Sequence, residues 1–512
     1  MNDTRNERRR QKRGQKAERK KRSPGYPPAF TLPNRKTGFE TVEEENEFRQ
    51  QTTAEKLEVY KQLLPGLLKK ISKLPDPRDP KKIKHKMAVV MFYGILMFIF
   101  HLSSRRQSNR ELTGPQLLEN LKVLFPELTE MPHQDTLYRL MEEMEVEQIE
   151  SAYLSMLKQL IRKKKFKDLL PCKSYLVAID GTQKYVMDRC WDDRYLRRKR
   201  EEGDIDYYAY VVEAVLILSN GMVLPLISEF LENSPELEAV ESEKQWKQDC
   251  ELKGFYRLSG RLKKQFPKLK LTLLLDGLYA NGPVISICFK HKWQFMIVLK
   301  EKSLSSLWEE ANALIGLDEE KANYWRQKWR GRKQSFRWAC HLEYEYWAGK
   351  RKKRLILHVV TCEESWKVID ENNNFITESK RHAWISSEPV TKSNVHQLCN
   401  LIARKRWLQE NNILKEKRQG YHYEHIFSHD FDAMQGYHYL MHIGRMLNEL
   451  AFHSVSLTEH VKTVGFRGFI KAFKETMTNT GLDQEMLIRI AKSPGQLRLV
   501  LEDDWKTRKT AA

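Results

Sequence analysis

Cysteine is scarce and scattered, with seven in 512 residues, at 172, 190, 250, 288, 340, 362 and 399. The number is odd and no pair has CxxC spacing, which excludes a disulfide framework and a zinc ribbon and fits a reducing cytosol. Long hydrophobic runs are also missing. The longest uncharged apolar stretch, Met87 to Phe100, has 14 residues, short of the ~18 that read as a membrane span. It is expected as a buried helix, and no membrane partner is expected. Acidic residues are in deficit, 68 against 89 lysines and arginines, for a net charge of +21. That field favours a polyanionic partner, with nucleic acid as the default. The first 22 residues contain no apolar segment that could serve as a secretory signal, and hold eleven basic and three acidic side chains, so the protein is expected inside the cell. There is no internal repeat.

A chain of this length exceeds what one hydrophobic core usually supports, roughly 250–300 residues, so two or three folding units are expected. Residues 1–44 combine the basic run with SPGYPPAFTLPNRKTG and read as a disordered arm, either solubilising or tracking a phosphate backbone. Residues 45–168 carry apolar side chains at three- and four-residue spacing and read as an all-helical domain, expected to bind DNA through the outline that two of its segments share. Within it RRQSNREL (105–112) and PHQDTLYRL (132–140) have the outline of a helix-turn-helix. From 169 to 317 short β-branched runs take over. SYLVAID, a hairpin YAYVVEAVLILSNGMVLPLISEFLE turning at Asn220-Gly221, a helix over 241–264, LKLTLLLDG, a helix over 282–290 and WQFMIVLK predict an α/β layered sheet. Residues 318–390 read as a β-rich insertion full of tryptophan, tyrosine and arginine. Residues 391–450 return to helix as the second part of the α/β core, and 451–512 form a C-terminal helical region.

Asp180 ends SYLVAID before Gly-Thr, and Asp276 ends LKLTLLLD before Gly-Leu. Carboxylates there sit at a sheet's carboxyl edge, where α/β folds build their sites. One such aspartate is ordinary turn chemistry, but two in one domain imply a divalent cation that relieves their repulsion, and hard Mg²⁺ prefers oxygen ligands. A third acid, Glu410, lies in RKRWLQENNILKEK, where Arg406, Glu410 and Lys417 are offset by four and seven residues and would share one helical face. His422, His425 and His429 read as a polar helix face or phosphate contacts rather than a metal cluster. The run NYWRQKWRGRKQSFRW could stack an unpaired base, although each of its tryptophans could equally be core.

The order of strand-Asp180, hairpin, helix, strand-Asp276, β insertion and helical Glu410 resembles the DDE transposases with an RNase H-like fold. The detail resembles bacterial insertion-sequence transposases with a Tyr, two residues, Arg, three residues, Glu, six residues, Lys signature. Arg406, Glu410 and Lys417 match the last three positions, and Ala403 stands at the tyrosine position. The likeness covers roughly residues 90–450. It implies an RNase H-like core interrupted by the β insertion, and a triad of Asp180, Asp276 and Glu410 holding Mg²⁺ or Mn²⁺ for two-metal phosphoryl transfer. It implies phosphate contacts from Arg406 and Lys417, further DNA contacts from Trp407, and a flipped base held in the insertion by Trp325, Trp329 or Trp338. The substrate would be double-stranded DNA, the terminal inverted repeats of a mobile element and the target into which it is joined. The enzyme would act as a homodimer on DNA in the bacterial cytoplasm at the nucleoid. Two alternatives stay open, a catalytically inactive transposase-derived DNA-binding regulator and a nuclease without strand transfer.

Overall fold

The computed structural model describes residues 38–200, 203–233, 249–318, 320–369, 375–493, 495 and 497–501. The basic arm up to residue 37 and the first part of the helix expected over 241–264 lie outside them. The fold is mixed α/β with a helical N-terminal region, and divides into two compact units, one drawn from 31–269 with 407–512 and the other from 270–406.

Among the described residues the first unit opens with the helices α1 (Val42–Lys61), α2 (Leu64–Ile71), α3 (Met87–Ile99), α4 (Arg105–Leu112), α5 (Pro115–Lys122), α6 (Gln134–Glu143) and α7 (Val146–Arg162). Thr41 caps α1 by accepting from the Glu44 amide at 3.2 Å, with Glu43, Glu44 and Glu45 in the first turn, where acids complement the helix dipole. All thirteen residues of α3 are buried, so the apolar run expected as a buried helix forms one. The two segments with a helix-turn-helix outline become α4 and α6. Arg105 stacks over the Tyr138 ring at 4.2 Å, tying them together, while α5 intervenes in the chain.

Four strands follow: β1 (Tyr175–Met187), β2 (Leu196–Lys199), β3 (Ile205–Ile217) and β4 (Val223–Phe230). β3 is the hub, antiparallel to β1, β2 and β4. The hairpin between β3 and β4 turns where expected. Gly221 takes a φ of +85°, which glycine adopts without a Cβ clash, and Asn220 Oδ1 accepts from the Met222 amide at 3.1 Å. α8 (Glu251–Gln265) packs on β3 and β4.

In the second unit β5 (Leu271–Leu275), α9 (Gly282–His291) and β6 (Gln294–Val298) make a parallel strand-helix-strand step. After α10 (Ser305–Leu317) come β7 (Tyr324–Trp329), β8 (Arg332–Ala348), β9 (Arg351–Ile369) and β10 (Phe375–Ser386). β10 returns to pair antiparallel with β6, and the order β5-β6-β10-β9-β8-β7 makes one mixed sheet. The strands of 318–390 therefore continue the sheet begun by β5 and β6.

The helical pattern of NVHQLCNLIARKRWLQENNILK, residues 394–415, does not form one uniform helix. A π-helical turn (Gln397–Ile402) and a 3-10 turn (Ala403–Arg406) precede α11 (Trp407–Arg418). The first unit closes with α12 (Phe431–Phe452), α13 (Thr458–Asn479) and α14 (Gln484–Lys492). Of the 22 residues of α12 only Asp432 and Gln435 are not buried, and α12 is packed by α3, α6, α7 and β4. Among the described residues no helix is long and apolar enough to cross a membrane.

Candidate functional site

Asp180 does not end its strand. β1 runs seven residues further, to Met187, because Gly181–Met187 continues to pair with Tyr207–Val212 of β3, with a register shift between Gln183 and Tyr185. Asp180 thus sits in mid-strand opposite Glu213, half-buried, with one carboxylate oxygen accepting from the Gly181 amide at 3.1 Å. Directly opposed residues of an antiparallel pair share a face, so Asp180 and Glu213 project together.

A second acid lies close by. A Cβ on Gly181 would collide with the Glu251 carboxylate and the Tyr210 ring. The Tyr210 hydroxyl donates to Glu251 Oε2 at 2.7 Å. Burial pushes this phenol well above its ordinary range, reinforced by the hydrogen bond to Glu251 and by the negative charges of Glu251 and Asp180. Glu251 was not among the residues expected from sequence, and its signal, an acid in the first turn of a helix, is too common to single out.

Asp276 meets the expectation for its position. It follows β5 and caps the 3-10 turn Gly277–Tyr279, accepting from the Leu278 amide at 2.6 Å. Lys300 Nζ lies 3.5 Å from its other oxygen, and the Lys300 stem crosses Gly277 so closely that a Cβ there would strike it at 2.7 Å.

Glu410 and Lys417 both lie on α11, which packs against β1 and β4. Lys417 Nζ donates to the Gln183 carbonyl at 3.1 Å, three residues beyond Asp180, and pairs with Glu424 at 2.9 Å. The helix carrying Glu410 is thereby tied to the strand carrying Asp180. Arg406 ends a 3-10 turn that runs directly into α11, the helix carrying Glu410 and Lys417. The inner side of α11 is held by polar contacts. Arg445 bonds both Glu416 and Asn412, and Lys415 pairs with Glu449.

The tryptophans of β7 and β8 differ in setting. Trp325 is 40% exposed, whereas Trp338 is 2% exposed and belongs to the core. Trp329 lies between, with Arg330 and Arg404 over its ring at 4.7 and 5.6 Å. Beneath them Glu364, fully buried, is gripped by Arg404 at 2.6 Å and Arg332 at 3.0 Å. Trp407, at the start of α11, is exposed.

His422, His425 and His429 do not form a helix face. They lie in the connection between α11 and α12, with His425 against Phe427 and His429 stacked on Trp191 at 4.4 Å. Among the described residues the only group able to offer three clustered metal-ligand atoms is Glu213, His438 and His442.

Residues 68–157, from within α2 to within α7, match the family described as DDE_Tnp_1-associated. This match indicates a DDE-type transposase family and does not extend to the three carboxylates. No curated protein matches the chain.

Proposed function

We propose that the protein is a DNA transposase that cuts at the ends of its mobile element and joins the freed 3′-hydroxyl to target DNA. The observation that carries this reading is the tie between the two acids of one unit: α11, bearing Glu410, packs on β1, bearing Asp180, and Lys417 bonds the Gln183 carbonyl. The helical segment matched to a transposase-associated family supports it, as does the net charge of +21.

In this reading β1 to β6 with α11 make an RNase H-like core, and β7 to β10 are its insertion. Asp180, Asp276 and Glu410 form the all-oxygen donor set that suits Mg²⁺ or Mn²⁺. Two such ions, when bound, lower the cost of charge on the attacking and leaving oxygens of phosphoryl transfer. The protein's own part is positioning. Lys417 holds α11 at a fixed height along β1, and the Leu278 amide and Lys300 orient Asp276. Arg406 contributes a planar fork for phosphate and Lys417 a point charge beside it. Trp325 and Trp329 offer ring faces to unpaired bases, Trp407 adds a further DNA contact, and Trp338 belongs to the core. The helical N-terminal domain and the basic arm bind the terminal repeats, and two copies act on paired ends within the bacterial cytoplasm.

Asp180→Ala should abolish end cleavage and strand transfer while leaving a gel shift of end DNA intact, since the backbone contacts that supply affinity lie elsewhere. Full cleavage by the variant contradicts the assignment. End cleavage without joining by the wild type would identify a nuclease, and binding without cleavage a regulator.

A further inference from the structure

The interface between β3 and α12 encloses a second group of ligand-type side chains, separate from the three carboxylates. Glu213 comes from the middle of β3, and His438 and His442 come from α12, four residues apart and so on one face of the helix. All three are buried, at most 2% exposed. His438 Nε2 lies 3.3 Å and His442 Nε2 3.7 Å from Glu213 Oε1, and the two imidazole centroids are 4.1 Å apart. One ligand atom from each residue can be chosen so that all lie within 4.8 Å of one another. Bonds of about 2.0–2.2 Å from a tetrahedral zinc place its ligand atoms roughly 3.3–3.6 Å apart, so the group needs only small rotations to close on an ion.

The polar accounting points the same way. Glu213 Oε2 and His442 Nε2 are buried and have no hydrogen-bond partner among the described residues, and such groups are costly to bury unpaired. The remaining contacts form an outer layer. Tyr423 donates to Glu213 Oε1 at 3.0 Å, Ser228 Oγ lies 3.0 Å from His438 Nε2, and Lys184 Nζ lies 3.4 Å from His438 Nδ1 while donating to the Tyr423 carbonyl at 3.0 Å. Ser228 Oγ, beside His438 Nε2, adds a fourth oxygen next to the group. The Lys184 ammonium and the Arg445 guanidinium lie near the group and oppose a cation.

We propose that Glu213, His438 and His442 bind a zinc-class transition-metal ion that locks α12 to β3. Two imidazoles with one carboxylate form a borderline donor set that suits zinc over magnesium or calcium. Because Glu213 faces the same side as Asp180 from the neighbouring strand, the ion would fix the strand pair on which Asp180 stands. The site is independent of the proposed transposase chemistry.

The test uses the full chain, stripped with a chelator and titrated with Zn²⁺ and, separately, Co²⁺. The wild type and Asp180→Ala should each bind one zinc per chain with a rise in melting temperature, and Co²⁺ should produce the intense visible bands of a tetrahedral site. Glu213→Gln and His442→Ala should lose that binding. Lys184→Met, which removes one opposing charge, should bind zinc more tightly. Wild-type protein that takes up no zinc at micromolar concentration, or equal uptake by Glu213→Gln, overturns the proposal. Should His442→Ala fail to fold, the Co²⁺ spectra of the wild type and Glu213→Gln decide it alone.

Discussion

α3 and α12 are two helices buried to nearly the same degree, packed against each other, and built from opposite chemistry. α3 is MAVVMFYGILMFI, with no charged residue. α12 buries His438, His442, Arg445, Asn448 and Glu449 along the same kind of length. The two approach closely. A Cβ on Gly444 would meet Phe98 Cβ at 2.9 Å and the Ile99 amide nitrogen at 3.1 Å, and one on Gly94 would meet Leu440 at 2.7 Å. α3 is held by removal of apolar area from water, a force without direction. α12 is held by bonds that must each find a partner: Arg445 to Glu416, Asn412 and the Val223 carbonyl, Glu449 to Lys415, and Asn448 to Tyr60 and the Ile99 carbonyl. The lesson is that burial alone does not say what a helix does. The polar one fixes α11 and β3, the elements next to Asp180, in a single arrangement.

Arg445→Ala should break this comparison most severely. It leaves Glu416 buried without its counter-charge, and one-sided removal of a buried pair costs about 3–5 kcal/mol. A large fall in melting temperature would measure it, and a change under about 1 kcal/mol would show that water reaches the pair. Replacing both partners with Arg445→Met and Glu416→Leu should recover most of the loss, because apolar groups of similar size can stand in for a buried ion pair. On the apolar helix, Ile95→Ala should cost about 2–5 kcal/mol through lost transfer energy and a cavity, with no partner change able to rescue it short of refilling the volume. Rescue on α12 and its absence on α3 would confirm the contrast.

A smaller effect extends the comparison to the other unit, where Glu364 is buried among Arg404, Arg332, His382 and Gln334. Burial by itself would raise this carboxyl, but the nearby His382 ring, the hydrogen bond from Gln334 and the Arg404 and Arg332 guanidiniums outweigh it and hold it at about 2. A folded-state value below the unfolded one adds stability that is complete above the unfolded value of 4.5 and is lost as pH falls from there through about 2,. The melting temperature of Glu364→Gln should therefore vary less than that of the wild type between pH 5 and about 2.5. Parallel curves for the two proteins would remove Glu364 from the account.

Much of the layout was readable from residue patterns. The Asn220-Gly221 turn, the buried α3 and the strand-ending Asp276 all follow from local chemistry. Asp180 misled because Asp-Gly-Thr looks like a strand exit, while the pairing that carries β1 on to Met187 is set by β3, a partner twenty or more residues away. The uniform helical pattern across Arg406 failed for a related reason. Nothing in the apolar spacing of NVHQLCNLIARKRW announces a π turn followed by a 3-10 turn. The Glu213, His438 and His442 cluster was invisible because Glu213 lies more than two hundred residues from the two histidines. Its faint signal was an acid inside the apolar YVVEAVLIL and two histidines four apart inside the apolar QGYHYLMHIGRM, whereas the more conspicuous His422, His425 and His429 lie in a connection and do not converge.

The central claim is that Asp180, Asp276 and Glu410 act together on divalent ions. A crystal of the protein on its end DNA, grown with Mn²⁺ and measured for anomalous scattering, tests it most directly. The account predicts manganese peaks about 3.5–4 Å apart, ligated by all three carboxylates. Manganese bound elsewhere, or the three carboxylates lying apart without an ion between them, would contradict it.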